Sequence, residues 1–118
     1  MGWSINLMDP GTGEIMKVKS HREGSNICVQ GCNLASISVT FNYSWFYYKF
    51  FDKKNGLRFI NKKTAKECIP LFKKFLKDMG NVAPFENYWA PTPGNAAHII
   101  KVLLEWAKQY PEAIFEIC

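Results

Sequence analysis

The chain has no long apolar run: none of its stretches approaches the ~20 residues that a helix needs to cross a bilayer. Residues 1–14 lack the basic and apolar regions of a secretory signal peptide. Asn6 stands where the myristoylation pattern that begins at Gly2 requires serine or threonine. These absences predict a cytoplasmic protein that has no membrane partner.

The chain also lacks the short motifs of common catalytic sites. No Gly-x-Ser-x-Gly elbow, Walker loop or His-Glu-x-x-His occurs. Cys28 or Cys32 could be paired with His98 for nucleophilic catalysis, but any chain with four cysteines and two histidines allows such a pairing. Glu105 and Glu112 most simply face water. We therefore predict a protein that is not an enzyme and has no catalytic residue.

The cysteines are too scattered for a typical zinc site. Cys28 and Cys32 form a single close pair with His21 nearby, whereas zinc usually takes two such pairs. Cytosolic thiols are normally reduced, so free cysteines are expected. The spacing predicts no metal, and nothing indicates a cofactor. The four are Cys28, Cys32, Cys68 and Cys118.

Aromatic residues are abundant, at 15% of 118 residues, beside an ordinary apolar content of 47%. The length fits one domain over residues 1–118, since no internal repeat or flexible linker divides it. With so many phenylalanine, tyrosine and tryptophan side chains, we expect some to line a groove or an interface rather than the core.

Positive charge is concentrated in one segment. The net charge is +5, yet residues 49–79 alone carry ten basic and three acidic groups, a balance of +7. A local basic patch is therefore predicted. Its members are Lys53, Lys54, Arg58, Lys62, Lys63, Lys66, Lys73, Lys74 and Lys77. Next to Tyr47, Tyr48 and Phe59 it could grip phosphates and stack bases. Lysine is poor at base readout, so a solvated helix face or an acidic protein partner remains an alternative.

Three segments are strand-like. Residues 3–7 and 15–18 alternate around turn residues 9–13, which predicts an N-terminal hairpin. Residues 34–42 alternate apolar and polar side chains, and residues 113–117 resemble a final strand. Residues 57–60 are expected to be a short extended piece.

The aromatic stretch 43–51 is ambiguous. Its composition favours a strand. Helical spacing slightly favours a short helix instead, with Ser44 as a possible N-cap. The residues at that spacing are Tyr43, Phe46, Tyr47, Phe50 and Phe51.

Two longer helices are clearer. Thr64 and Glu67 form a capping-box pattern that opens a helix over about 64–79, in which Pro70 predicts a kink or a later start. Thr92 as N-cap and Pro93 at the first position open a second helix over about 93–110. Together the elements predict an α+β fold: a small antiparallel sheet with these two helices on one face.

The segment 88–97 places two aromatics before a helix N-terminus, where unsatisfied amides could bind an anion or a nucleotide phosphate. The simpler interpretation, which we favour, is a capped helix preceded by two core aromatics. The residues considered for ligand or partner binding are Tyr47, Tyr48, Tyr88, Trp89, Thr92, Gly94 and Asn95.

Four sequence segments resemble a family of small phage and prophage proteins of undetermined function. They are 9–14 (DPGTGE), 39–44 (VTFNYS), 87–96 (NYWAPTPGNA) and 106–111 (WAKQYP), so the resemblance spans about residues 9–115. It implies a viral or prophage source and a role in host takeover or defence evasion inside a bacterial cell. It transfers no catalytic residue, and Cys28 and Cys32 lie outside its pattern.

The hypothesis we favour is a non-enzymatic protein that binds and modulates or inhibits a host protein. A second hypothesis is a binder of a small ligand or nucleotide signal that uses 88–97. A third is a nucleic-acid-binding protein that uses 49–79. A homo-oligomer held by exposed aromatics is also possible.

Overall fold

A computed structural model of the chain describes residues 2–18, 22–23, 26–27, 34–80 and 92–117. The strands are β1 (Gly2–Met8), β2 (Arg22–Glu23), β3 (Asn26–Ile27), β4 (Ser36–Thr40) and β5 (Ile114–Ile117). The α-helices are α1 (Ser44–Phe50), α2 (Ala65–Met79) and α3 (Pro93–Gln109), and two 3-10 helices cover Phe41–Tyr43 and Gly56–Ile60. The predicted α+β class is confirmed.

β1 is the central strand of a three-stranded antiparallel sheet with the order β4-β1-β5, while β2 and β3 pair separately. Ile5 lies opposite Ile37 of β4 on one side and opposite Ile117 of β5 on the other. All three isoleucines are buried. Because alternate residues of a strand share a face, this register directs one face of the whole sheet into the core.

The N-terminal hairpin has the predicted turn but a short return arm. Gly13 N donates to Asp9 O at 2.8 Å and closes the turn. After it, only a single bridge joins Met8 to Ile15. β4 already pairs with β1 from Gly2 to Asn6, so the return arm can pair only with the last residues of β1.

The predicted helix over 43–51 is confirmed as α1, but Ser44 is not its N-cap. The chain begins to turn at the 3-10 helix Phe41–Tyr43, where the Thr40 hydroxyl accepts a hydrogen bond from Asn42 N at 3.2 Å. Ser44 is consequently already the first residue of α1.

The expectation of an extended piece over 57–60 is wrong, because this segment is part of the 3-10 helix Gly56–Ile60. Leu57 and Ile60 are both fully buried. They lie three residues apart, which places both on the same side of a helix with three residues per turn.

α2 begins after Thr64, as predicted, but the capping box does not form. Thr64 makes no side-chain cap hydrogen bond. Instead, Ala65 N and Lys66 N donate to Ala113 O and Pro111 O at 2.7 and 2.9 Å. The segment before β5 thus satisfies the first two amides of α2, which the capping box would not have bonded, because a capping box bonds the amides of Thr64 and Glu67. The helix has no later start at Pro70, which lies inside it.

α3 begins and ends as predicted. The Thr92 hydroxyl accepts a hydrogen bond from Asn95 N at 3.2 Å, and Pro93 occupies the first turn. The helix ends at Gln109, two residues before Pro111. Its apolar stripe is buried: Ala96, Ile99, Ile100, Leu103, Leu104 and Ala107.

The two long helices and the sheet share one core. Phe72 of α2 contacts Phe115 of β5 edge to face, with ring centroids 5.6 Å apart. Phe75 contacts Tyr47 of α1 with centroids 5.7 Å apart. Within the described ranges, no helix is long and apolar enough to cross a membrane.

Candidate interaction surface

The two tyrosines proposed on α1 have different environments. Tyr47 is fully buried, and its hydroxyl donates to Ala96 O at 3.1 Å, which ties α1 to the first turn of α3. Tyr47 is therefore a core residue and is not accessible to a partner. Tyr48, by contrast, is 40% exposed.

Trp45 is the most exposed large apolar side chain in the described part of the chain, at 58%. Helical spacing explains this exposure, because Trp45 lies outside the stripe that Phe46 and Tyr47 share. Trp45, Tyr48 and Lys49 instead follow i, i+3, i+4 spacing and form a second stripe on the solvent side. Phe41, one turn earlier, is 39% exposed.

Lysines border the exposed tryptophan. Lys49 Nζ lies 4.6 Å from the centroid of the Trp45 ring and 5.4 Å from that of Phe50. A cation over an aromatic face is attracted by the ring quadrupole. A shallow depression of about 670 Å³ adjoins this pair, and we call its lining the α1 surface. The α1 surface consists of Ser44, Trp45, Tyr48, Lys49 and Lys53.

Gly56 supports Tyr48 from beneath. Gly56 has a φ of +57°, and a Cβ atom placed there would lie 3.3 Å from the Tyr48 ring. The ring therefore packs on backbone that no side chain covers. This contact positions Tyr48 from a different segment of the chain.

The predicted basic patch does not form one cluster around the tyrosines. Lys53 belongs to the α1 surface. Lys63 Nζ lies 4.8 Å from the Phe59 ring centroid. Lys54, Arg58 and Lys62 are exposed around the 3-10 helix Gly56–Ile60.

The remaining lysines follow one side of α2, and we call them the α2 lysine stripe: Lys66, Lys73, Lys74 and Lys77. Helical spacing sets this stripe opposite the buried Phe72 and Phe75. Those phenylalanines contact Phe51 at the end of α1. The stripe consequently faces away from α1, and Lys66 pairs with Glu112 at 3.4 Å.

The helix start considered for a ligand is largely occupied by its own cap. The Thr92 hydroxyl accepts from Asn95 N, and both Gly94 and Asn95 are buried. Tyr88 and Trp89 lie outside the described residues. The ligand hypothesis for 88–97 therefore stays a prediction.

Cys68 lies in the core, where burial raises the pKa of its thiol to about 12. Such a thiol stays protonated at neutral pH and is a poor nucleophile and metal ligand. Among the described residues, no three histidine, cysteine or acidic side chains are grouped as metal ligands would be. His21, Cys28, Cys32 and Cys118 lie outside those residues.

Sequence reasoning missed Trp45, Lys49 and Phe41 as candidates. The signal was present in the same spacing that predicted α1: once the buried stripe is assigned, Trp45 and Lys49 fall on the opposite side. An aromatic residue on the polar side of an amphipathic helix is an indication of a binding surface.

No protein-family model, curated protein or solved structure matched the chain. The resemblance to phage proteins stays a prediction.

Proposed function

We propose that this chain is a non-enzymatic protein-binding module that uses the α1 surface to bind an acidic partner protein. The observation that carries the proposal is the exposure of Trp45, at 58%, between Tyr48 and two lysines. Tryptophan and tyrosine dominate the energetics of protein interfaces, because their large rings desolvate well at little cost in conformational entropy.

The lysines indicate the charge of the partner. Lys49 and Lys53 line the α1 surface, and no acidic side chain in the described part of the chain does. Carboxylates at the rim of a partner would complement these cations and accelerate association. The partner surface should therefore combine an apolar pocket for Trp45 with acidic side chains around it.

A protein fits the α1 surface better than a nucleic acid does. Lys49 Nζ lies over a face of the Trp45 ring that a stacked base would need. The described residues of this surface also include no arginine, the side chain best suited to bidentate contacts with bases and phosphates. An edge-on insertion of Trp45 into an apolar pocket leaves its contact with Lys49 in place.

The biological setting follows from the resemblance to phage proteins alone. In that setting the partner would be a bacterial host protein, such as a component of antiviral defence. Binding would modulate or inhibit that protein without any chemical step.

A capture experiment tests the proposal. Tagged wild-type protein in bacterial lysate should retain one dominant acidic protein, and Trp45→Ala should weaken its binding at least about 30-fold, as expected at an interface hot spot. Leu34→Ala is the matched control, because Leu34 is also exposed but lies outside the α1 surface. Full retention of the partner by Trp45→Ala would contradict the proposal.

A second candidate function is polyanion binding by the α2 lysine stripe. Its four lysines lie together on an exposed helix side. If all four contact phosphates of single-stranded DNA, the log–log salt slope of the affinity should be about −3. Lys73→Glu with Lys77→Glu should abolish this binding, whereas Lys101→Glu with Lys108→Glu on α3 should reduce it only slightly. Equal losses in the two pairs would indicate general charge attraction and exclude a site on α2.

A further inference from the structure

A second concave surface lies where the turn after β1 meets the end of α3. It encloses about 370 Å³, within the size range of protein ligand sites. We call it the acidic-rimmed groove. Its apolar floor is formed by Met16 and Ala113, which are partly or fully buried, and the exposed Pro10 and Pro111 flank it. Its rim carries Asp9 and Glu112.

The groove is held by contacts between its two sides. The Tyr110 hydroxyl donates to Lys17 O, which joins the end of α3 to the return arm of the hairpin. Asp9 Oδ1 accepts from Gly11 N at 2.7 Å, which fixes the turn itself. Among the residues that the structure describes, no lysine or arginine lines the groove, although the chain carries a net charge of +5. Its apolar floor and acidic rim are thus built into ordered parts of the fold.

The groove and the α1 surface adjoin opposite ends of α3. α1 is next to the start of α3, where the Tyr47 hydroxyl binds Ala96 O. The groove adjoins the other end of α3, at Tyr110. The intervening helix has 17 residues and is therefore about 25 Å long. One copy of the chain consequently presents these two surfaces in different directions.

We propose that the acidic-rimmed groove binds the α1 surface of a second copy of this chain. This inference rests on the proposed function, in which the α1 surface binds a protein with an apolar pocket and an acidic rim. The groove has that chemistry: its apolar floor takes Trp45, and Asp9 and Glu112 face Lys49 and Lys53. Glu112 forms an ion pair with Lys66, but this exposed pair is weak. Glu112 can therefore exchange Lys66 for a lysine of the second copy.

The predicted assembly is open and head to tail. A contact between two different surfaces, one near each end of α3, leaves one of each free at the ends of the assembly, so the assembly grows past a dimer unless it closes into a ring. Few side chains take part, and small interfaces are weak. Self-association should therefore rise with protein concentration and compete with the partner for the α1 surface.

Sedimentation of the purified wild-type chain at increasing concentration and low salt tests this inference. The weight-average mass should climb past twice the monomer mass without a plateau, and it should fall when salt is added. Trp45→Glu and Glu112→Lys should each remain monomeric. Glu105→Lys is the matched control, because it makes the same charge change at an equally exposed position of α3 and should associate as the wild type does.

Mixing the two defective variants tests the head-to-tail geometry. Trp45→Glu keeps an intact groove and Glu112→Lys keeps an intact α1 surface, so together they should form a 1:1 complex and nothing larger. A monomeric wild type, a plateau at the dimer, or a mixture that stays monomeric would each overturn the inference.

The capture experiment separates this inference from the proposed function. Glu112→Lys should still retain the acidic partner, because its α1 surface is unchanged. Loss of capture in both the wild type and Glu112→Lys would refute the proposed function. The sedimentation measurements use purified protein without the partner, so they would still show whether the chain self-associates.

Discussion

Gly56 has a φ of +57° and lies directly beneath the Tyr48 ring. We expect Gly56→Ala to cost about 1–2 kcal/mol, because a side chain strains this backbone conformation and also meets the ring. Gly13→Ala is the matched control: its φ is +73°, but nothing lies within 4 Å of the added Cβ. Urea unfolding measures both. A smaller loss for Gly56→Ala than for Gly13→Ala would contradict the contact with Tyr48.

Cys68 makes folding sensitive to alkaline pH. Burial raises the pKa of its thiol from 9.0 to about 12. The folded protein thus retains the thiol proton where the unfolded chain has released it. This contribution to stability is complete below pH 9 and is lost as pH rises towards 12. Between those values, wild type should lose up to about 1.4 kcal/mol per pH unit more than Cys68→Ala. If the unfolding free energies of wild type and Cys68→Ala changed equally with pH, the predicted role of the Cys68 thiol would be contradicted.

At the scale of the element, α2 contains a proline in its sixth position. A proline there removes the hydrogen bond to Lys66 O, and proline is about 3 kcal/mol less favourable than alanine inside a helix. Proline also restricts the unfolded chain, which offsets part of this cost. We therefore expect Pro70→Ala to stabilise the protein by about 1–2 kcal/mol, measured by thermal or urea unfolding.

Pro93 provides the control for that prediction. It lies at the start of α3, where its fixed φ suits the helix and its missing N–H has no intrahelical acceptor. Pro93→Ala should leave stability unchanged or slightly lower. Equal changes in the unfolding free energy for Pro70→Ala and Pro93→Ala would contradict the prediction that a proline costs more inside a helix than in its first turn.

The elements that sequence predicted best are those with strong periodicity and local caps. α3 was predicted at both ends, because Thr92, Pro93 and Pro111 act through the backbone next to them. The capping box at Thr64 failed although the helix start was right. The amides of that turn are bonded to carbonyls at 111 and 113, almost fifty residues away along the chain. No local pattern indicates such partners.

At the scale of the whole molecule, one continuous core joins the sheet to the helices. We expect a single cooperative unfolding transition, with coincident midpoints by far-ultraviolet circular dichroism and by tryptophan fluorescence. Trp3 and Trp106 are buried and report on that core, whereas Trp45 reports on the surface. The Trp45→Phe, Trp89→Phe double variant leaves Trp3 and Trp106 as the only tryptophans. Separate midpoints in that variant would show that the core unfolds in parts.

The candidate site was predicted only in part. The sequence indicated surplus aromatics and a basic segment, and Tyr48 and Lys53 do lie together on the α1 surface. Tyr47 was expected there but lies in the core, because it belongs to the buried stripe of α1 with Phe46, and Ala96 O accepts from its hydroxyl. Proximity along the chain could not show that the lysines of α2 face away from α1. That orientation depends on which side of α2 is buried, which is the side that carries Phe72 and Phe75.

The α+β class, the two long helices and the strands β1, β4 and β5 followed from sequence alone, since hydrophobic periodicity and caps act between near neighbours. For α1 the sequence only slightly favoured a helix over a strand. Only the tertiary structure decided that β1 is central, that residues 57–60 turn instead of extending, and that Trp45 is left exposed. These features depend on which surfaces meet across long stretches of chain. The physical reason is that burial is decided by all the packed elements together, whereas periodicity describes one element at a time.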